Sequence, residues 1–322
     1  MFIRVSLVSC ITIILELFSF NFRLCNDFIL LGFPDAPELQ TTIFTVLLSL
    51  YVLMVLGNLT MILLINTDPH LHTPMYFFLT HLSCIDFCLS SATIPKALQT
   101  FLQGRSHISF WGCFAQMYVY LAMAFYLLTV MSYDRYVAIC KPLHYGILLS
   151  NRACVHMAAA AWASGFIYAL LHTANTFSLP LCRGNAVEQF FCEIPHILKL
   201  SCSHSYLREV GLLVLGFSSA IGCFVFIVVS YVQIFRAVLR IPTEQGRHKA
   251  FSTCLPHLAV LSLFVSTGSF AYLKPPSISS PSLDLVVSVL YSVVPPAVNP
   301  LIYSLRNQEL KDAVRKLLTG CV

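Results

Sequence analysis

The chain has 322 residues, of which 57% are hydrophobic and only 10% charged. A soluble domain carries about 25% charged residues, so this chain cannot cover a water-facing surface, and its solvent is mostly lipid. The net charge of +5 comes from dispersed basic residues without aromatic interleaving, which argues against a nucleic-acid partner. No Ser/His/Asp, metal-ligand or phosphate-loop constellation marks an enzyme.

Residues 1–40 read as an N-terminal segment outside the membrane. Within it, Met1–Phe20 is apolar from Val5 to Leu15 and is then broken by Glu16. That run is too short to cross a bilayer, which takes about 20 apolar residues. With Arg4 in front it reads either as a cleaved signal peptide or as an extra leader (residues 1–20). Residues 41–305 hold seven runs of spanning length: Thr41–Asn66, Tyr76–Pro95, Ile108–Tyr133, Ala153–Leu171, Val210–Phe235, Ala250–Leu273 and Leu285–Leu305. In the tail, residues 306–322, Leu310, Ala313, Val314 and Leu317 alternate with Lys and Arg, the spacing of an amphipathic helix lying on the membrane surface. The expected fold is an all-α membrane protein, a seven-transmembrane helix bundle with a short amphipathic C-terminal helix.

Lys and Arg in short loops set the orientation. With the C-terminus inside, the inner segments carry eleven cations against five acids, and the outer segments eight of each. The N-terminus is therefore expected outside and the C-terminus in the cytoplasm.

The only formal charge inside the seven runs is Asp86. An ionisable group in a span is costly and usually functional. Asn58 and Asn299, on the first and seventh runs, are the polar groups expected to meet it. Such a cluster can hold water, a proton or a sodium ion, and can differ between two packings of the bundle; the plainer alternative is a buried acid that only joins helices. No other metal and no cofactor is expected. Pro300 removes a backbone donor and gives the seventh helix a place to bend. Four of the thirteen cysteines, Cys113, Cys182, Cys192 and Cys202, fall on the outer, oxidising side. They allow three pairings. Cys84, Cys88, Cys223 and Cys254 lie inside spans, as small hydrophobes. The longest connection, about Leu181–Leu207, reads as a stapled lid over the bundle.

The third run ends in Met131-Ser-Tyr-Asp-Arg-Tyr-Val-Ala-Ile-Cys-Lys-Pro-Leu-His-Tyr145. Gly57-Asn58, Leu71-His-Thr-Pro-Met-Tyr-Phe-Phe78, Lys249-Ala-Phe-Ser-Thr-Cys254 and Pro296-Ala-Val-Asn-Pro-Leu-Ile-Tyr-Ser304 accompany it. Together these strings resemble the olfactory (odorant) receptors, a group of rhodopsin-like, G-protein-coupled receptors, and the likeness runs from about Asp27 to Leu318. The resemblance implies disulfides Cys113–Cys192 and Cys182–Cys202. It implies that Arg135 pairs with Asp134 at rest and meets the G protein when the bundle opens. Tyr136, Tyr231, Lys249, Asn299, Pro300 and Tyr303 belong to the same coupling machinery, with Tyr231 and Tyr303 moving towards Arg135. The implied partners are a small-molecule odorant, a heterotrimeric G protein of the stimulatory, olfactory type and membrane lipid, and the implied location is the plasma membrane.

The ligand is expected in the outer half, between helices three, five, six and seven. Helical spacing points to Met117, Tyr118, Leu121 and Ala124, to Leu215 and Ser219, to Gly268, Ser269 and Tyr272, and to Ser288 and Ser292. These would form an apolar pocket with hydroxyls, suited to a small volatile molecule. Leu285–Leu305 holds no Lys for a retinal Schiff base, and no acid between Cys113 and Tyr133 offers a counter-ion for an amine.

Two rival readings remain. A transporter or channel would show intramembrane charges, broken helices or repeats, and one Asp is meagre support. The second is a non-signalling or poorly trafficked relative. Its basis is the 22 positions from Cys113 to Arg135, about three fewer than members of the family have, with the gap between Ala124 and Phe125. Three residues are worth ~4.5 Å of rise and ~60° of rotation. The outer end of helix three is expected to adjust, drawing in the loop before Trp111. The one Asn-x-Thr, Asn58-Leu59-Thr60, lies inside the first span, whereas family members usually carry a sequon before it.

Overall fold

The computed structural model describes residues 28–31, 37–103, 105–109, 112–113, 116, 122–177, 186–187, 192, 206–273, 286–287, 289–290, 292–306 and 308–319. Its helices are α1 (Pro37–Thr67), α2 (Pro74–Gln103), α3 (Ala122–Cys140), α4 (Asn151–Phe177), α5 (Tyr206–Leu239), α6 (Glu244–Leu273), α7 (Val294–Arg306) and α8 (Gln308–Thr319). Five stretches of these helices are long and apolar enough to cross a membrane among the described residues: Thr41–Thr67, Pro74–Gln103, Asn151–Leu171, Val214–Leu239 and Glu244–Phe270. The third and seventh apolar runs pass through residues outside the described set.

The lipid-facing sides carry large apolar groups such as Leu56, Leu63 and Val229, a surface tolerable only in hydrocarbon. Hydroxyls on these helices bond back to their own backbone, as Thr45 Oγ1 does to the Thr41 carbonyl at 2.8 Å and Ser49 Oγ to that of Thr45 at 2.8 Å, because a polar group in lipid must find a partner locally. α2 is the central helix: 78% of its apolar window is buried, against 17% for α5. A core of Tyr76, Phe78, Leu82, Ile85, Leu127, Leu128 and Met131 joins α2 to α3.

Short connections fix neighbouring helices. Asp68 accepts from the His70 backbone N–H at 2.9 Å and caps the 3-10 turn Pro69–Leu71 between α1 and α2, as Asx side chains do. Beyond α3, the 3-10 turn Pro142–His144 and a single helical turn, Tyr145–Leu148, lead into α4.

One feature departs from the all-helical expectation. β1 (Phe28–Leu31) pairs antiparallel with β2 (Arg105–Ile108) and parallel with β3 (Ala186–Val187). Phe28 and Leu30 are buried beneath this small sheet. It joins the N-terminal segment, the α2–α3 connection and the long loop after α4 at one end of the bundle. The strands are too short to show in a chain apolar nearly throughout.

Candidate functional site

At the sheet end, Cys113 is bonded to Cys192, with Cα atoms 5.3 Å apart. Gln116 reinforces the tie. Its side chain is buried, its Nε2 donates to the Ala92 carbonyl of α2 at 3.0 Å, and its Oε1 accepts from the Cys192 N–H at 2.9 Å. Cys182 and Cys202 lie outside the described residues.

Towards the centre, Asn299 on α7 donates from Nδ2 to Asp86 Oδ2 on α2 at 2.8 Å. Asn58 does not reach the carboxylate. Its Nδ2 instead donates to the Met54 carbonyl at 3.0 Å and to the Pro296 carbonyl at 3.2 Å. Chain chemistry explains this. A helix carbonyl at position 296 would accept from the N–H at 300, and Pro300 has none. Beside it, Gly57 lets α7 approach α1: a Cβ there would lie 3.2 Å from Pro300 Cβ. Among the described residues no group of three His, Cys, Asp or Glu could hold a metal ion.

At the opposite end, Arg135 folds back on Asp134, with Nε donating to Oδ2 at 2.8 Å and Nη2 closing on the same oxygen. Both groups are almost fully buried, where an ion pair holds only if its remaining lone pairs are satisfied. Tyr145 supplies that: its hydroxyl donates to Asp134 Oδ1 at 2.8 Å. Burial first, and then the charge of Asp134, hold the Tyr145 phenol above its ordinary range. Tyr136 is half-buried beside the pair, with Lys141 Nζ 5.9 Å above its ring. Lys249 is exposed at the start of α6, and its carbonyl accepts from Ser252 and Thr253. Tyr231 on α5 bonds His257 Nδ1 on α6 at 2.5 Å, and the two rings stack. The Tyr303 hydroxyl is buried without a hydrogen-bond partner among the described residues.

Between these layers lies a cavity of about 440 Å³. Ala124, Phe125 and Leu128 of α3 border it, with Phe217, Ile221 and Phe224 of α5, Phe264, Gly268 and Ser269 of α6, and Ser292 and Asn299 at α7. α2 also contributes, through Leu82, Ile85, Asp86 and Leu89, which corrects the placement among helices three, five, six and seven alone. Of the expected pocket residues, Ala124, Gly268, Ser269 and Ser292 line it. Leu215 is not among the described residues lining it and sits ~200° around α5 from Phe217. Ser219 lies on the same side as Leu215, where its hydroxyl bonds Tyr126 at 2.5 Å. Both faces of α5 are apolar, so hydropathy could not tell cavity from lipid. Met117, Tyr118, Leu121 and Ser288, and the side chain of Tyr272, lie outside the described residues, as does the loop at Trp111.

Cys113 is joined to Cys192 at one end of the bundle, and Arg135 closes on Asp134 at the other. A buried staple at one end, a paired Asp-Arg at the other and a small-molecule cavity between them define a helix-bundle membrane receptor. A profile of the olfactory receptor family matches residues 47–320. Human olfactory receptor 14J1 is 46% identical over 302 residues, covering 93% of this chain and 94% of its own. The dog olfactory receptor-like protein OLF1 is 45% identical, covering 92% and 96%, and human olfactory receptor 5I1 is 43% identical, covering 94% and 97%. The chain belongs to the olfactory receptor family of seven-transmembrane, G-protein-coupled receptors. It is a multi-pass protein of the plasma membrane, and its relatives are signalling receptors rather than enzymes. The reading as a non-signalling relative is not favoured.

Proposed function

We propose that this receptor binds a small, mostly apolar volatile in the cavity between α2, α3, α5, α6 and α7. Ligand binding drives nucleotide exchange on a stimulatory, olfactory-type G protein and raises cyclic AMP. The N-terminus lies outside the cell and the C-terminus in the cytoplasm. The observation that carries the reading is the continuity of the cavity with Asp86 and Asn299. A ligand there acts on the α2–α7 contact directly, and a ligand shifts an equilibrium only through contacts that differ between its states. The Asp134–Arg135 pair, latched by Tyr145, is the closed end of that equilibrium.

A cyclic AMP assay with an odorant panel tests this. At least one volatile is expected to raise cyclic AMP in cells bearing the receptor. Arg135→Ala is expected to abolish the response while the protein still reaches the surface. Full signalling by that variant, or ion flux in place of cyclic AMP, would overturn the reading.

A further inference from the structure

We infer that the cavity is built for a small primary aliphatic amine, its ammonium seated on Asp86; the inference rests on the reading of the cavity as the odorant site. Asp86 is buried, and most of the residues bordering the cavity around it are apolar, among them Leu82, Ile85, Leu89, Leu128 and Phe264. Among the described residues lining it, none carries a positive charge. Arg135 is committed to Asp134. A buried carboxylate without a cation is costly, and its removal from water is offset only by a close opposite charge.

The polar floor presents acceptors. Asn299, a residue of the cavity lining, commits its Nδ2 to Asp86 Oδ2, and its buried Oδ1 has no hydrogen-bond partner among the described residues. A carboxylate only accepts, so it fixes which end of the amide faces it. Ser90, one turn along α2, spends its hydroxyl on the Asp86 carbonyl at 2.5 Å and does not compete for the carboxylate. An ammonium offers three N–H donors and a charge, matching a carboxylate oxygen and an amide oxygen together. An alcohol offers one donor and leaves the charge uncompensated. A fatty acid brings a second negative charge. A hard inorganic cation wants a shell of several oxygens, which these apolar walls do not supply. At about 440 Å³ the cavity sits low in the ~300–1,000 Å³ range of small-molecule sites, which favours a short chain.

No acid stands between Cys113 and Tyr133, so that stretch of helix three offers an amine no counter-ion. The structure supplies it from α2, at the level of Ala124 and Phe125, where helix three is short.

The test uses full-length receptor purified in lipid nanodiscs, with thermal melting as the readout, and the same ligands in the cyclic AMP assay. The ligands are hexylamine, hexanol, hexanoic acid and sodium chloride. Hexylamine is expected to stabilise at a concentration about tenfold or more below hexanol, with no effect of hexanoic acid. Asp86→Asn is expected to erase the preference. Gly268→Leu, whose side chain enters open space, is expected to weaken both amine and alcohol by filling the cavity, and it keeps the test open if Asp86→Asn fails to fold. Equal action of amine and alcohol, a preference that survives Asp86→Asn, or an undiminished amine effect in Gly268→Leu overturns the inference. So does stabilisation by sodium that hexylamine cannot displace. Stabilisation by amine without any cyclic AMP response supports the amine site and overturns the signalling reading. A cyclic AMP response to uncharged volatiles without amine preference does the reverse.

Discussion

Asn58 on α1 reaches across to α7 and donates to the Pro296 carbonyl at 3.2 Å, the carbonyl whose helical donor Pro300 removes. The pair is fully buried at Asn58. A buried carbonyl left without a donor costs about 1–3 kcal/mol. Asn58→Leu is expected to lower the melting temperature of the purified receptor accordingly. Asn58→Ala, which also lacks a donor, is expected to give no rescue. A melt unchanged in both variants would show that the carbonyl has another partner.

Gly57 is the steric half of the same contact. A methyl added there would sit 3.2 and 3.3 Å from Pro300 Cβ and Cγ. Gly→Ala gains up to about 1 kcal/mol in helix propensity, which offsets a displacement of a few tenths of an ångström, so Gly57→Ala is expected to be near neutral. Gly57→Leu adds more volume than the contact can yield and is expected to cost about 1–3 kcal/mol. Comparing the two melts checks the sign of each.

Much of the bundle was legible. Spanning runs, the central Asp86 and the motif ends of the helices follow from bilayer thickness and from residue types that are costly in lipid. Partner choice was less so. Asn58 was expected at Asp86, yet it serves a carbonyl, because the defect a proline leaves is invisible unless one asks where each backbone group is satisfied. Gln116 and Tyr145 went unassigned for a related reason: each partner lies across a turn or a loop. The bond between Tyr231 and His257 fixes how α5 and α6 face each other, and neither residue type alone signals it. Phase was hardest. Lipid and core are both apolar, so Leu215 and Phe217 look alike in sequence although they sit on opposite sides of α5. The usable signal was Gly268 on α6, which leaves space.

Cys113 and Cys192 are 79 positions apart. Loop-closure entropy sets an upper limit of about 4.5 kcal/mol on what their bond contributes, since the bilayer already confines the unfolded chain. Cys113→Ser is expected to reduce surface expression several-fold. Peptide mapping without reduction is expected to recover Cys113 joined to Cys192, and Cys182 joined to Cys202. Four free thiols in surface protein would contradict both pairings.

Tyr145 holds Asp134 from below, so Tyr145→Phe is expected to raise basal cyclic AMP without added ligand while leaving surface level intact. The pH dependence has a definite sign. A phenol whose pKa is raised on folding contributes fully below its unfolded value of about 10 and loses that contribution only as pH climbs towards the folded value. Basal signalling is therefore expected to be flat in Tyr145's contribution across pH ~6–9. A rise in the wild type that Tyr145→Phe lacks within that window would show that the phenol titrates there.

Tyr76 at the start of α2 donates to Glu309 Oε2 of α8 at 2.6 Å. With Asn58 to Pro296, Gly57 against Pro300 and Asn299 to Asp86, it rivets α1, α2, α7 and α8 into one block. α5 and α6 meet at the stacked pair Tyr231 and His257 and at Phe235 against Phe251, and α5 packs extensively on α3. The contact that a ligand at Asp86 and Asn299 would loosen is thus one fastening among four, and the block stays joined at Tyr76–Glu309, Asn58–Pro296 and Gly57–Pro300 when that one gives way.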